Sequence, residues 1–459
     1  MNIPAQTAPA DATGIPALLP RGDGWRFVIF GDACSGVPGA LHETTFSQVC
    51  DVVRRLEPTP EFVIFPGDEI VGLTPDEAEL RSQWRHWLDV EMAWLDRTTT
   101  PIWHATGNHT TYNRMSERVF REVLGMPRNG PPGQEGLSYY VRRGDLLLVF
   151  VHTLATELGG EGYVDVTWLE RVLVEHRDAR RKIVIGHHPI FSVNGFSGAY
   201  QRDIGPEHAG PMWEVLVREG VLAYVCSHIL AFDVQVHRGV LQLCTAGAGT
   251  AHRMPEGVEY LHCVQAALDD AGLRYQVLDE SGRRREQLAW PLPRFAAPSP
   301  LGIGAQDAPL QARLPERAVL DLSITGTTAS SAAQAQTLFC ANSPGKLPMI
   351  WIGLRGPEQR LTAIIARTPG RSPHFWQGPP LGDAAAFTLD LRICPAMGAG
   401  GLLWRTDPAS PWSSLIGASP TGVEGIDWPS LWHVGAGLDG ETFLGPSLSA
   451  SWGWHEFAI

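Results

Sequence analysis

The hydrophobic positions of residues 24–290 fall into short apolar runs, and each run ends at glycine or a polar residue. Runs of about four to eight apolar and β-branched residues that stop at turn residues are typical of buried strands. On this basis the pattern predicts strands at residues 25–30, 61–65, 101–105, 146–152, 182–185 and 221–226, then antiparallel strands at 240–244, 260–268 and 273–278.

Between most of these runs the apolar residues recur at helical spacing instead. In residues 75–95, for example, Leu80, Trp84 and Trp87 fall on one face, and acidic residues precede them. The pattern predicts helices at residues 42–55, 75–95, 116–123, 166–175 and 205–217. Alternation of strands and helices indicates an α/β layered domain, in which we expect Trp84, Trp87 and Trp94 to be core residues.

The pattern changes after residue 290. Residues 291–309 are rich in proline, alanine, glycine and serine, as in a linker. Short strand-like segments then alternate with glycine and proline turns at residues 318–324, 348–354, 361–366 and 386–393. The sequence therefore predicts a flexible N-terminal arm (1–23), an α/β domain (24–290), a linker (291–309) and a β-sandwich (310–459).

Length and charge narrow the functional classes. A chain of 459 residues is expected to form two or three domains. Its formal net charge of −13 argues against a protein that follows nucleic-acid phosphates by bulk electrostatics. A small anionic substrate remains compatible with this charge, because a bound metal can supply positive charge locally.

The N-terminus and the cysteines bear on the compartment. Residues 1–21 lack the basic start and apolar core of a secretory signal, and no apolar run is long enough to span a bilayer. The seven cysteines include no Cys-x-x-Cys pair, and several lie in strand-like runs. These features favour a reducing compartment and a cytoplasmic location, although a chain trimmed of its signal would give the same pattern.

Polar clusters follow five of the predicted strands. They are Gly31-Asp32-Ala33-Cys34, Gly67-Asp68, Gly107-Asn108-His109, Gly186-His187-His188-Pro189 and Ser227-His228. A single aspartate after a strand is usually a turn or cap residue. Five such loops in order indicate a ligand site at the carboxyl edge of a sheet, and their carboxylate, amide and imidazole groups suit Zn, Mn or Fe.

This ordered set resembles the signature of the calcineurin-like metallophosphoesterase superfamily, within it the branch of purple acid phosphatases and cyclic-nucleotide phosphodiesterases. The signature of that family runs Asp-x-His, Gly-Asp, Gly-Asn-His-(Asp/Glu), His and Gly-His-x-His. The resemblance covers about residues 26–278, including the glycine-rich residues 245–249 after the last histidine. It implies a four-layer α/β/β/α sandwich.

The resemblance also implies roles for individual residues. Asp68 would bridge two metal ions, and Asn108, His187 and His228 would complete one half of the site. His187 is assigned rather than His188 because the ligand of the family precedes proline by two positions. His109 would face the phosphoryl group, as an acid toward the leaving oxygen or as a stabiliser of developing charge.

The chain departs from the signature at two imidazole positions. Cys34 occupies the place of the histidine in Asp-x-His, and Leu230 occupies the place of the last histidine. Both losses fall on the same metal position, which keeps Asp32, Asp68 and, as a thiolate, Cys34. The candidate replacements are Asp233, His237 and His252. Thr110 also replaces the acidic residue that would orient His109.

The C-terminal region carries a second, shorter resemblance. Residues 432–440 are similar to the late hairpin of laminin-G/concanavalin-A-like sandwiches, which are jelly-roll folds. The tryptophans of this region could stack on sugars, but packing is the commoner use of tryptophan; they are Trp404, Trp412, Trp428, Trp432, Trp452 and Trp454. Glycan binding, covering of the active site and formation of a homo-oligomer all remain open for this domain.

The combined prediction is a metal-dependent phosphoester hydrolase. A metal-bound water would attack a small phosphorylated substrate, with one or two divalent ions of Mn, Zn or Fe. The altered ligands leave two alternatives open: a catalytically impaired scaffold with a phosphoesterase fold, and a carbohydrate-binding protein. We expect His104 and His152, which lie at the same strand ends, to be structural.

Overall fold

The computed structural model describes residues 14–155, 161–193, 203–250, 260–291, 299–301, 318–330, 334–342, 348–365, 374–394, 402–414, 431–437 and 441–456. The chain divides into two compact units, residues 1–234 with 240–292 and residues 235–239 with 293–458. Within the described residues, no helix combines the length and the hydrophobicity that crossing a bilayer would require.

The first unit alternates strands and helices, as the hydrophobic pattern predicts. Its elements are β1 (Trp25–Ile29), α1 (Leu41–Arg54), β2 (Phe62–Phe65), α2 (Glu77–His86), a π-helical turn (Trp87–Glu91), β3 (Ile102–His104), α3 (Arg114–Leu124), β4 (Tyr139–Arg143), β5 (Leu146–Phe150), α4 (Val166–Glu175), β6 (Arg181–Ile185), α5 (Pro206–Arg218), β7 (Ala223–Cys226), β8 (Phe232–His237), β9 (Val240–Thr245), β10 (His262–Asp269), β11 (Gly272–Asp279) and β12 (Arg284–Trp290).

These strands form two six-stranded sheets. The first has the order β12-β11-β10-β1-β2-β3 and the second the order β4-β5-β6-β7-β9-β8. Strands β1, β2 and β3 are parallel to one another, as are β5, β6, β7 and β9. The carboxyl ends of the parallel strands in each sheet therefore lie at one edge, where the polar clusters begin.

Helices cover one face of each sheet. Val28 of β1 packs with Phe46 of α1 in a buried cluster to which α2 and α3 also contribute. Val184 of β6 packs with Leu169 of α4 in a corresponding cluster that includes α5. Local signals define these helices: Asp76, for example, caps α2 by accepting hydrogen bonds from the N–H groups of residues 78 and 79.

The other faces of the two sheets meet each other. The Tyr139 hydroxyl of the second sheet donates to the carbonyl of His104 in the first, at 2.7 Å. The rings of Phe232 and Tyr275, one from each sheet, lie 5.9 Å apart. The order of layers is therefore helix, sheet, sheet, helix, which confirms the predicted fold class and is the architecture expected of a calcineurin-like metallophosphoesterase.

Several details differ from the sequence prediction. β9 pairs parallel with β7 on one side and neighbours β8 on the other, whereas β10 and β11 are antiparallel as predicted. The helix predicted to reach residue 95 becomes π-helical at Trp87. Strands β4, β8 and β12 were not predicted. Trp84 and Trp87 are core residues as expected, and Trp94 is partly buried against the same core.

Part of the predicted N-terminal arm packs on the first sheet. Ile15 belongs to the buried cluster that includes α1. The carbonyl of Pro16 accepts a hydrogen bond from the side chain of Gln276, and the carbonyl of Leu19 accepts one from Arg274. Residues 14–23 are therefore held by β11, and residues 1–13 lie outside the described chain.

The second unit contains two antiparallel sheets. Its strands are β13 (Ser299–Leu301), β14 (Ala318–Thr327), β15 (Gln336–Asn342), β16 (Pro348–Arg355), β17 (Arg360–Ile365), β18 (His374–Pro380), β19 (Ala386–Ile393), β20 (Leu402–Arg405), β21 (Ser413–Ser414), β22 (Leu431–Val434) and β23 (Ser447–Glu456). The sheet orders are β13-β23-β14-β19-β20-β21 and β18-β17-β16-β15-β22. β13 lies inside the segment with linker composition.

One apolar core joins the two sheets of this unit. It includes Ile324 of β14, Ile352 of β16 and Trp432 of β22, and Trp404 packs against it. The ring of Trp412 lies beneath the guanidinium of Arg405. A shared core between two antiparallel sheets is the arrangement of a β-sandwich. Trp428 and residues 438–440 of the predicted hairpin lie outside the described residues, and the side chains of Trp452 and Trp454 are not described.

Candidate functional site

Three loops at the strand ends adopt left-handed backbone conformations at their functional residues. Asp32, Asp68 and His228 have φ angles of +59°, +60° and +67°. This region is sparsely populated by residues other than glycine, and such conformations are found often at functional sites. The loops also bind one another: the N–H of Asp32 donates to the carbonyl of Gly67 at 3.1 Å.

Glycine is required beside these residues because other groups approach closely. A Cβ atom at Gly107 would lie 2.0 Å from Oδ1 of Asp68, and one at Gly67 would lie 2.6 Å from Nδ1 of His187. Gly67 also has a φ of +104°. The glycines of the Gly-Asp and Gly-Asn-His loops therefore allow three strand ends to come together.

Four predicted ligands converge at this edge, and we call them the Asn108 cluster: Asp68, Asn108, His187 and His228. Nε2 of His187 lies 3.1 Å from Oδ2 of Asp68 and 3.0 Å from Oδ1 of Asn108. Nδ1 of His228 lies 2.9 Å from the same Asn108 oxygen and 3.2 Å from Nε2 of His187. Four potential ligand atoms thus meet from the ends of β2, β3, β6 and β7.

The spacing of these atoms fits a metal ion. Donors placed tetrahedrally about 2.0–2.1 Å from an ion are separated by about 3.3–3.4 Å. The distances within the Asn108 cluster, 2.9–3.2 Å, are slightly shorter. Two imidazoles, one carboxylate and one amide oxygen form a donor set suited to borderline divalent ions. These residues could therefore hold such an ion after small outward shifts.

Hydrogen bonding at the far side of His187 favours the required tautomer. Nδ1 of His187 lies 2.9 Å from the carbonyl of Pro66, which can only accept a hydrogen bond. A proton on Nδ1 leaves the lone pair of the neutral ring on Nε2, the atom that faces Asp68 and Asn108. His187 is completely buried, so its ring orientation is constrained by packing as well.

The charges of the cluster shift the pKa values of its members. Burial lowers the pKa of His187, but Asp68 and Asp32 outweigh it and raise the pKa to about 9. For Asp68, burial is outweighed by His187 and His109, which hold its pKa below the usual range. Burial and the neighbouring histidines 188 and 187 lower the pKa of His228. The metal-free cluster therefore contains a buried ion pair between Asp68 and His187.

Asp32 lies beside this cluster and is held by the His228 loop. Its Oδ2 accepts hydrogen bonds from the hydroxyl of Ser227 and, at 2.9 Å, from the N–H of His228. Burial is the main reason that its pKa is raised to about 6. Asp32 therefore supports the loop that carries His228, whatever further role its carboxylate has.

A second group, the Cys34 cluster, consists of Cys34, Asp68 and His109. One potential ligand atom from each lies within 4.8 Å of the other two. Cys34 is buried, with a φ of +43°, and its N–H donates to the carbonyl of Asp68 at 2.9 Å. The structure thus brings Cys34 together with Asp68 as expected and adds His109, whereas Asp32 does not join this group among the described residues.

A backbone carbonyl orients His109. Nδ1 of His109 lies 2.6 Å from the carbonyl oxygen of Val71, so Nδ1 donates and Nε2 is left for another partner. The N–H of His109 also donates to Oδ1 of Asp68 at 2.9 Å. Thr110 takes no part in this, because its hydroxyl bonds within its own turn to Gly107. The carbonyl of Val71 therefore orients His109, a role for which the sequence indicates no residue.

The candidate replacement ligands do not join either cluster within the described part of the chain. Asp233 is buried in β8, and Nε2 of His237 lies 3.0 Å from Oε1 of Gln235. His252 lies outside the described residues. His104 and His152 have structural partners: His104 lies 2.7 Å from a carboxylate oxygen of Glu69, and His152 lies 2.7 Å from the hydroxyl of Thr106.

Other residues near the site were not predicted. The sequence predicts no role for Ser227 beyond its position next to His228, yet its hydroxyl donates a hydrogen bond to Asp32. Glu91, in the π-helical turn, accepts hydrogen bonds from the Ser35 hydroxyl at 2.7 Å and from the N–H of Gly36 at 3.1 Å, and so supports the loop of Cys34. No local motif indicates Glu91, since its position depends on the register of the turn.

Comparison with protein-family models and with curated proteins gives no match. Among solved structures, purple acid phosphatase PPD1 from yellow lupin (Lupinus luteus) seeds is similar at 15% identity and a TM-score of 0.43, over 62% of this chain and 59% of that one. GAP50, the anchor in the inner membrane complex of Plasmodium, has 14% identity and a TM-score of 0.42, over 59% of this chain and 90% of that one.

A putative 5′-nucleotidase from Staphylococcus aureus, in complex with alpha-ketoglutarate, is also similar. Its identity is 12% and its TM-score 0.36, over 63% of this chain and 62% of that one. The similarity therefore spans about three fifths of the phosphatase and of the nucleotidase and most of GAP50. At this degree of similarity the activities and ligands of these proteins do not transfer to this chain.

Proposed function

We propose that this protein is a metal-dependent phosphoester hydrolase. In this proposal Asp68, Asn108, His187 and His228 hold a divalent ion of Mn, Zn or Fe. The observation that carries the proposal is that four potential ligand atoms meet from four different strand ends, each within 2.9–3.2 Å of at least one other. Asp68 and His187 are buried, whereas Asn108 and His228 are partly exposed; gathering charged groups away from water is costly unless an opposite charge or a ligand compensates them.

A bound divalent ion supplies Lewis acidity at such a site and lowers the pKa of water. The residues of the chain supply the rest. The carbonyl of Val71 and the N–H contact with Asp68 hold His109, so that its Nε2 can give a proton to a leaving oxygen or donate a hydrogen bond to an anionic one. Asp68 links His109 to the Asn108 cluster through its two carboxylate oxygens.

The proposal includes one weakened metal position. Asp32 and Cys34 are the ligands expected there beside Asp68, and Leu230 contributes no ligand atom. Hydrolysis of phosphomonoesters or phosphodiesters remains a prediction. The cytoplasmic location, a glycan partner and a second copy of the chain bound at the C-terminal unit are also predictions.

The alternative function is a scaffold with the same fold and impaired catalysis. Cys34 and Leu230 replace two imidazoles of the family signature, and Thr110 stands where that signature has an acidic residue. These replacements favour the scaffold. A scaffold would keep the architecture and still lack turnover, so metal content and turnover have to be measured together.

The test combines elemental analysis with a panel of phosphomonoesters and phosphodiesters, with and without added Mn²⁺. We expect the parent protein to bind a first-row metal and hydrolyse at least one class. Asn108→Ala should lose turnover and the ion of the Asn108 cluster, because the Asn108 side chain contacts both histidines of that cluster. Asn129→Ala is a matched control: Asn129 is exposed, and its side chain bonds to the backbone of Tyr140.

The outcomes separate the candidates. Metal binding without turnover on any substrate would favour the scaffold. Asn108→Ala with unchanged metal content and unchanged turnover would contradict the proposal. Equal losses in Asn129→Ala would attribute the effect to general instability, which thermal unfolding of both variants would reveal.

A further inference from the structure

A third group of potential ligands lies next to the Asn108 cluster and shares His228 with it, whereas its other two members have no role in the reaction proposed above. It consists of Glu161, His188 and His228, and we call it the His188 cluster. One nitrogen or oxygen atom from each residue lies within 4.8 Å of the other two. His188 follows His187 directly at the end of β6, and Glu161 precedes α4, so three separate segments meet here.

The ring of His188 is held firmly. Its side chain is completely buried, and its Nδ1 lies 2.7 Å from the hydroxyl of Thr153. The carbonyl of His188 accepts a hydrogen bond from the hydroxyl of Tyr224 at 2.7 Å. A hydroxyl can accept the Nδ1 proton, and this arrangement leaves the lone pair of the neutral ring on Nε2.

Nε2 of His188 is directed at Glu161. It lies 3.2 Å from Oε1 of that carboxylate, and the His188 and His228 ring centroids are 4.3 Å apart. The Glu161 side chain retains 17% of its exposure, so the cluster reaches solvent at this residue. An ion could therefore enter without displacing the buried rings.

The donor set has a definite chemical preference. Two imidazoles with one carboxylate are the ligands of several catalytic zinc sites, which keep a further position open for water or substrate. Nitrogen and oxygen donors of this kind suit zinc and neighbouring divalent ions better than calcium or magnesium. Thr153, behind His188, supplies the outer hydrogen bond that imidazole ligands commonly have.

We propose that Glu161, His188 and His228 bind a divalent ion of the zinc class, separate from the ion of the Asn108 cluster. The inference deepens the proposed function and rests on it, since His228 is shared between the two groups. With both ions bound, His228 would ligate each through one ring nitrogen as an imidazolate, and its remaining ring proton would pass to solvent. It gives the chain a second metal position that uses neither Cys34 nor Leu230. A hydrogen-bonded pair of Glu161 and His188, without an ion, is the simpler explanation that a test has to exclude.

The experiment titrates the metal-stripped, full-length protein with Zn²⁺ by calorimetry and counts bound zinc by elemental analysis after dialysis. We expect two equivalents for the parent protein and one for Glu161→Gln and for His188→Asn. Asn108→Ala should also bind one, because it loses the other ion. Cys34→Ala should keep two, because the thiol is not a ligand of either position.

The matched controls are Glu175→Gln and His176→Ala. Glu175 is exposed on α4, and His176 follows it with its ring against Tyr140. Both controls should bind two equivalents. Glu161 is partly exposed, so Glu161→Gln should fold even if the buried His188→Asn does not; thermal unfolding of each variant checks this.

Three results would overturn the inference. They are a single equivalent in the parent protein, two equivalents in Glu161→Gln, or loss of the second equivalent in Cys34→Ala. A thiolate-to-metal charge-transfer band with Co²⁺ that disappears in Cys34→Ala would assign the second ion to the Cys34 cluster instead. The proposed function fails separately: Asn108→Ala would then retain both zinc equivalents and its turnover.

Discussion

Asp32 and Asp68 occupy equivalent places in the fold. Each follows a strand of the first sheet, β1 and β2, which are parallel neighbours. The φ angles are +59° and +60°, and the residues are only 3% and 1% exposed. On strand position, backbone conformation and burial alone, the two carboxylates should behave alike.

Their electrostatic surroundings differ. Burial raises the pKa of Asp32 to about 6; the charge of His187 and the hydrogen bonds from Ser227 and His228 offset this only in part, and the charge of Asp68 adds to it. The pKa of Asp68 is lowered instead, because the charges of His187 and His109 outweigh burial. Asp68 thus lies where two imidazoles converge, and Asp32 lies behind the loop that carries a third.

The difference teaches which half of the site is suited to a cation. In the metal-free site, a protonated histidine stabilises the buried carboxylate of Asp68. When the histidine loses its proton, the same carboxylate and imidazole can both ligate a metal ion. Among the described residues, the group that contains Cys34 includes one imidazole, that of His109. The two loops have similar backbones but differ in their suitability for a metal ion. Substitutions at Asp32 and Asp68 should therefore have different effects on metal binding and turnover.

The largest effect is expected for Asp68→Asn. Asp68 contributes to both the Asn108 and the Cys34 clusters, so we expect the ion of the Asn108 cluster to be lost. We also expect turnover to fall by more than about 10³-fold, beyond the 10–100-fold typical of outer partners of metal ligands. Elemental analysis and steady-state kinetics measure the two losses. A variant that keeps its metal and turnover within tenfold of the parent would refute the central place of Asp68.

His109→Gln should lower turnover by about 10²-fold or more while metal content stays unchanged, because His109 acts on the substrate and not on the ion. The loss should be large for a phosphoester with a poor leaving group and much smaller for a nitrophenyl ester, whose leaving oxygen needs no proton. Equal losses for both substrates would assign His109 to charge stabilisation. Unchanged turnover for both would remove it from the reaction.

Asp32→Asn should have a smaller effect and keep the ion of the Asn108 cluster. We expect turnover to fall by about 10–100-fold, as for a residue that positions a ligand. Metal-free Asp32→Asn should unfold at the same temperature as the parent at pH 7, or higher. The reason is that the pKa of Asp32 in the folded protein lies above the ordinary value of 3.8, so its ionisation costs stability as pH rises toward 6.

The linkage has the opposite sign at Asp68. Its folded pKa lies below 3.8, so it contributes stability above that pH, and this contribution is lost as pH falls. Metal-free Asp68→Asn should therefore be less stable than the parent at pH 7. Thermal unfolding of both metal-free variants at pH 4 and pH 7 tests the contrast. Equal shifts in the two variants would show that the two environments are not different after all.

The smallest effect concerns the pH dependence of metal binding. His187 must lose its proton to bind an ion, and its pKa is raised to about 9. Below that pH we expect the apparent affinity for Mn²⁺ to fall by about tenfold per pH unit. Calorimetry in two buffers of different ionisation enthalpy should detect about one proton released at pH 7. No proton release would indicate that the metal-free ring is already neutral.

Much of the fold follows from local sequence. The helices and most strands of the first unit were predicted within a few residues, because hydrophobic periodicity and caps such as Asp76 act over short distances. The order of the polar loops was also visible, since each follows its own strand. That Asp68, Asn108, His187 and His228 meet could be expected from this order and from the edge that parallel strands share.

Other features depend on contacts that no local pattern encodes. The parallel pairing of β9 with β7 depends on which strand became its neighbour. Val71 orients His109 through a carbonyl, a group that every residue has, so its identity gives no signal. Strand β4 was missed as well, because its charged Arg142 and Arg143 obscure the apolar pattern.

The sequence by itself determined which residue types stand at the strand ends and, by Cys34 and Leu230, which imidazoles are missing. Only the tertiary structure decided that Asp32 faces Ser227, that Asp68 faces two histidines, and that Glu161 reaches His188 from 27 positions away. The physical reason is that charge and hydrogen bonding act through space over a few ångströms, whereas a sequence pattern records only separation along the chain.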